Sequence, residues 1–137
     1  MKLNDQTIDP IKLEEGDWVE NIPEMGDLRL KVRGIRNKSW QSMQRTLTDA
    51  VPKKRRVGNV LAQGEQDRIT SSLLLNTCLL DWSGLEDDDG KPIPYSKEMA
   101  GKLLTEPQYR NFRDAVIWAA TVVAEQGEAT IEDAAKN

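Results

Sequence analysis

Between Leu28 and Val51 the apolar residues change their spacing, and that change limits the folds open to the chain. Leu28, Leu30 and Val32 alternate with Arg29, Lys31 and Arg33. This period of two puts three apolar side chains on one face of a strand and three cations on the other. Trp40, Met43, Leu47 and Val51 then recur every three or four residues, the spacing of one side of a helix. Asn37 and Ser39 stand where that helix needs a cap, and Pro52 ends it. A chain that holds both periods is α+β.

The remaining segments are mostly helical. Residues 17–22 suit a short strand, with a turn over 23–27 around Gly26. Gly58 and Gly64 bracket an expected loop. A long helix is expected from Glu65 to Leu80, because Ile69, Leu73, Leu74, Leu75, Cys78, Leu79 and Leu80 form an apolar set wider than one stripe. Residues 81–95 read as a structured turn, in which Asp89-Gly90 is a strong turn pair. Ser96 caps a short helix to Leu104, and Thr105, with Gln108 three residues on, has the spacing of a capping box. Tyr109, Phe112, Val116, Ala120 and Val123 then follow at helical spacing until Gly127, an expected stop. The predicted layout is an arm over 1–16, one globular domain over 17–127 with a short strand region and about four helices, and a tail over 128–137.

Composition narrows the chemistry. The chain of 137 residues has no histidine and one cysteine, Cys78. Without histidine there is no Ser/His or Cys/His nucleophile pair, and the commonest zinc ligand is missing. Cys78 lies among leucines and is expected to be an inert buried thiol in a reducing compartment. The segment Met1–Gln6 has no apolar leader core, and the apolar stretch Val116–Ala124 is far shorter than the ~20 residues of a membrane span. No membrane association, catalytic residue, cofactor or metal is therefore expected.

Charge is segregated along the chain. Residues 1–27 carry a net −6, residues 28–56 a net +9 and residues 57–137 a net −7. The basic middle is expected to pair with the acidic flanks or with a second copy of the chain more readily than with a polyanion. Lys53-Lys54-Arg55-Arg56 resembles a nucleic-acid patch, but no aromatic interleaves it for base stacking. Asp87, Asp89 and Gly90 resemble part of a calcium loop, yet with Gly90 sixth the first ligand would be Leu85 and the twelfth Ser96. A phosphate loop over 84–91 also fails, since five residues separate the glycines and Pro92 replaces the Ser or Thr. Trp82, Tyr95, Phe112 and Trp118 are expected in the core, with Trp82 and Tyr95 closing the acidic turn over the helices.

The run Leu80-Asp81-Trp82-Ser83-Gly84-Leu85, followed by Asp89-Gly90-Lys91-Pro92-Ile93-Pro94-Tyr95-Ser96 and by Ala100, Leu103-Leu104, Pro107 and Phe112, resembles the tail assembly chaperones of long-tailed bacteriophages. Those proteins share a helix leading into a Trp-Gly turn, an acid-Gly-Lys-Pro-x-Pro-aromatic-Ser stretch and two closing helices. The match is most specific over residues 80–113. The resemblance implies a small non-enzymatic protein of the infected host's cytoplasm, absent from the mature virion. It would bind the tape measure protein and keep it soluble without ATP, as the shorter partner of a frameshifted longer form.

An apolar groove between residues 65–80 and 106–125 is the expected place for a helical client. Leu74, Leu79, Trp82, Tyr95, Leu104, Phe112 and Val116 are the expected contacts with the client or with further copies of the chain. The competing reading is a small nucleic-acid-binding or regulatory phage protein that uses Arg29, Lys31, Arg33, Lys53, Lys54, Arg55 and Arg56 as one basic face. A structural tail or head-completion subunit is a third reading.

Overall fold

The computed structural model describes Leu3 and residues 10–58 and 60–136, with side chains described as far as Glu125 apart from Val57. Residues 1–2 and 4–9 of the expected arm, and Asn137 of the expected tail, lie outside the described residues. In chain order the elements are α1 (Pro10–Glu15), β1 (Asp17–Val19), β2 (Arg29–Val32), α2 (Lys38–Asp49), β3 (Arg56–Val57), β4 (Val60–Leu61), α3 (Gln63–Leu73), β5 (Leu79–Ser83), α4 (Lys97–Thr105) and α5 (Arg110–Lys136). The fold is α+β and mostly helical, with an antiparallel sheet in the order β1-β2-β5.

The alternation in β2 does what its sequence predicts. Leu28, Leu30 and Val32 are buried, and Leu30 and Val32 are completely enclosed. Over this face lies α5, which buries Phe112, Ala115, Val116, Ala119, Ala120 and Val123. Three of those six are alanines, so the helix backbone comes close to the sheet, and Ile35 N–H reaches the Ala120 carbonyl at 3.0 Å.

Beyond Leu73 the chain departs from its sequence expectation. α3 gives way to one wide π turn over Leu74–Cys78, and the chain then becomes strand β5 instead of helix as far as Leu80. The Thr77 hydroxyl donates to the Leu73 carbonyl at 2.6 Å and the Asn76 amide to that of Ser72 at 2.9 Å, which satisfies carbonyls at the widened end of the helix. Lys31 pairs with Asp81 and Val32 with Leu79, so Leu80 is the extra residue of a β-bulge. The bulge reverses the alternation, and Leu79 and Trp82, three residues apart, both face inward while Leu80 stays exposed.

Asn37 joins these parts. Its side chain is fully buried. Its carbonyl oxygen accepts from Trp40 N–H at 2.9 Å and caps α2, while its amide donates to Gly34 O at 2.9 Å and to Thr77 O at 2.8 Å. Beside it the Glu14 carboxylate pairs with Arg33 at 3.0 Å and accepts from Lys38 N–H, also at 3.0 Å, at the start of α2. A carboxylate at a helix N-terminus is stabilised by the unpaired N–H groups there. The acidic N-terminal segment therefore does neutralise part of the basic middle. Between them, a methyl group at Gly34 would strike the Leu13 side-chain end and press tightly, at 3.3 Å, on the Ala124 backbone.

Three further expectations need correction. The bracketed loop at 58–64 contains a hairpin, with Val57 opposite Val60 and Gly58 at a φ of 57° in its turn. Thr105 forms no capping box, since Glu106 is the cap residue and the Thr105 hydroxyl instead donates back to the Gly101 carbonyl at 2.7 Å. Gly127 does not stop α5, whose backbone continues to Lys136; a glycine inside a helix costs only about 1 kcal/mol.

Replacing Asn37 with Ala removes a helix cap and takes the side-chain donor from two carbonyls, leaving Gly34 O with the residue-37 backbone N–H and Thr77 O without the amide. This should lower stability by about 2–4 kcal/mol in urea titrations, whereas Lys54→Ala, at an exposed position, should stay within about 0.5 kcal/mol of wild type.

Candidate interaction surface

The segment 80–113 packs as a unit around Trp82. The Trp82 indole N–H donates to the Ile93 carbonyl at 2.8 Å, and its ring meets Tyr95 edge-on at 5.0 Å and Phe112 at 5.7 Å. Asp87 organises the acidic turn, its carboxylate accepting from the N–H groups of Asp89 and Lys91 at 2.9 Å each. Gly84, at a φ of 78°, fits here because a side chain would strike the Asp27 carbonyl. Burial, with the nearby charge of Asp81 adding to it, pushes the Tyr95 phenol above its ordinary value.

Most residues expected to touch a partner are in the core. Leu74, Leu79, Trp82, Leu104, Phe112 and Val116 are all buried, and Tyr95 is half-buried. The six buried ones face inward, where the spacing that singled them out is simply the period of core packing. The cations also fail to form one free face. Arg29 stacks over Trp18 at 5.1 Å and pairs with Glu20 at 3.6 Å; Lys31 is half-buried; Arg33 belongs to Glu14. Arg55 pairs with Glu65 at 3.5 Å, and Arg56 donates to the Thr48 and Val51 carbonyls at the end of α2. Lys53 and Lys54 are exposed, with no ion pair among the described residues.

The apolar groove expected between residues 65–80 and 106–125 is not found; a polar cleft lies in its place. A cleft of about 540 Å³ runs between α3 on one side and the end of α4 and start of α5 on the other. Its walls are Asp67, Arg68, Ser71, Ser72, Glu106, Arg110 and Arg113, and only Leu104 and Pro107 are apolar. Arg113 is fixed by the Ser71 hydroxyl at 3.2 Å and by Asp67 at 3.7 Å, and Arg68 by Glu65 at 2.9 Å. Arg110 is exposed and forms no ion pair among the described residues. Glu106 has one carboxylate oxygen near the Gln108 amide at 3.4 Å, while the other is buried without a partner. An enclosed acceptor of this kind is costly unless a donor reaches it.

Sequence reasoning missed these residues because it followed apolar spacing. The available signal was polar: Arg110 and Arg113 are three apart on α5, and Asp67 and Ser71 four apart on α3, each pair on one helix face. Trp118 was also misplaced. It falls outside the stripe Phe112-Val116-Ala120-Val123, is 39% exposed, and lines a second cavity of about 210 Å³ with Ile22, Pro23, Met25 and Ala115. Glu24, Asn111 and Asp114 complete its rim.

The model of the YdaY prophage protein family matches residues 35–137. The chain belongs to that family. It is thus a phage protein, and the matched region holds α2, the hairpin, the groove and all of the Trp82 unit, whereas β1 and β2 precede it. No curated protein and no solved structure matches the chain. Among the described residues no group of acids and cysteine is placed to hold a metal ion, and no helix is long and apolar enough to cross a membrane.

Burial drives the Cys78 thiol from 9.0 up to about 11, against smaller opposing effects of the Thr77 hydroxyl and the Arg33 charge. Between 9.0 and about 11 the native thiol keeps its proton while the unfolded chain loses it. Its contribution to stability is therefore whole below that window and falls as pH rises through it. Urea titrations across the window should show this fall for wild type and a shallower one for Cys78→Ala; equal slopes would contradict the assignment.

Proposed function

We propose that this phage protein is a tail assembly chaperone that holds a helical segment of the tape measure protein in the groove between α3 and α5, without nucleotide hydrolysis. The observation that carries the reading is the position of the groove. One of its walls, Leu104 to Arg113, belongs to the stretch that resembles the chaperones, and that wall holds an enclosed acceptor, Glu106, and an unpaired cation, Arg110. A client helix laid between α3 and α5 would supply a carboxylate to Arg110.

The groove's mixed lining changes the expected recognition. Leu104 is enclosed, so the apolar surface offered in the groove is essentially that of Pro107, and charge sets the register and orientation of the client. Membership of a phage family supports the setting, and the two closing helices after the acidic turn follow the order of the resemblance, although the Trp-Gly turn is led by strand β5 and not by a helix. On this reading the protein acts in the host cytoplasm and is absent from finished particles. The nucleic-acid alternative is disfavoured because Arg29, Arg33, Arg55 and Arg56 are already engaged within the chain.

Co-expression with the tape measure protein of the same phage tests the proposal. The client should move into the soluble fraction when wild type is present, and Arg110→Glu should reverse most of that gain while leaving the chaperone folded. Equal insolubility with and without the protein would refute the reading, and its recovery by mass spectrometry from purified virions would favour a structural subunit.

A further inference from the structure

Two surfaces outside the groove complement one another. At the first, Trp118 stands over the pocket formed with Ile22 and Met25, one helical turn beyond Asp114 and opposite Glu24. Both acids are exposed and neither forms an ion pair among the described residues. One residue of the pocket wall, Glu24, holds a φ of 65°, a region that non-glycine residues seldom occupy. The lining includes no cation.

At the second surface the signs are reversed. The β3–β4 hairpin presents Val60, which is 62% exposed, and the turn leading into it carries Lys53 and Lys54, both exposed and unpaired among the described residues. Neither lysine side chain helps to hold the hairpin, a task done by Arg56 at the end of α2 and Arg55 on Glu65. An exposed aliphatic residue on a hairpin whose leading turn carries two free cations is opposite in sign to an exposed aromatic pocket with two free carboxylates in its lining.

We infer that the Trp118 pocket receives the hairpin of a second copy of this chain, Val60 entering beside Trp118 and Lys53 and Lys54 facing Glu24 and Asp114. The two patches share no residue, so the contact is head-to-tail and each contact leaves the other patch of both copies available for a further one, which generates a ring or an open chain of subunits. A hairpin tip in a small pocket lies at the low end of interface sizes, below roughly 1,200 Å². Assembly is accordingly reversible, dependent on concentration and weakened by salt.

Analytical ultracentrifugation of the full chain tests this. Wild type should gain mass with concentration and lose it as salt is raised. Glu24→Lys with Asp114→Lys, or Lys53→Glu with Lys54→Glu, should each give a monomer. Combining all four changes in one chain restores opposite signs and should restore assembly. NMR of wild type alone provides a check free of variants: the Trp118 indole and Val60 methyl signals should shift with concentration, and those of Leu80 should not. A wild type that stays monomeric, assembly unchanged by both charge reversals, or a quadruple variant that stays monomeric would overturn the inference. So would a monomeric wild type whose Trp118 signal moves only when a basic amphipathic peptide is added, since the pocket would then serve another partner.

Discussion

A single buried amide governs how this chain closes. Asn37 lies at the junction of strand, helix and π turn with all its polar atoms enclosed, and each has a partner: Trp40 N–H for the oxygen, Gly34 O and Thr77 O for the nitrogen. A buried amide left half-satisfied would cost more than the bonds return, so the three backbone segments come together in one arrangement. The Glu14–Arg33 pair reinforces it from α1, and the close approach of Gly34 to Ala124 brings α5 over the sheet.

From that junction the rest follows in order. Holding Thr77 fixes the π turn; the turn redirects the chain into β5; and the bulge at Leu80 lets Leu79 and Trp82 face the core together. With Trp82 inside, its indole N–H fixes the Ile93 carbonyl, and its ring sets Tyr95 and Phe112. That in turn positions the junction of α4 and α5, where Glu106 and Arg110 stand in the groove wall. The proposed client surface is thus coupled to a core amide several elements away through contiguous packed contacts.

Much of the fold was legible in the sequence wherever one period held for long enough. The alternation in β2, the cap at Asn37, the helix begun by Ser96 and the stripe from Phe112 to Val123 all read correctly, because each is a local pattern with a local cause. β5 was not legible. A run of leucines suits a buried strand as well as a helix, and the π turn and bulge that decide the matter depend on Asn37, forty residues earlier. The candidate site was less legible still. Apolar spacing finds cores, and it led to Leu74 and Val116, which are enclosed. The groove is built from charged residues of separate helices, whose proximity only the fold reveals.

The proposed role depends on a partner entering between α3 and α5. Hydrogen exchange on the protein alone and in complex with its tape measure protein tests this most directly. Amides along α3 and over residues 104–113 should become protected in the complex, with the sheet unchanged. Protection confined to other elements, or no change on mixing, would contradict the claim that this groove is where the protein works.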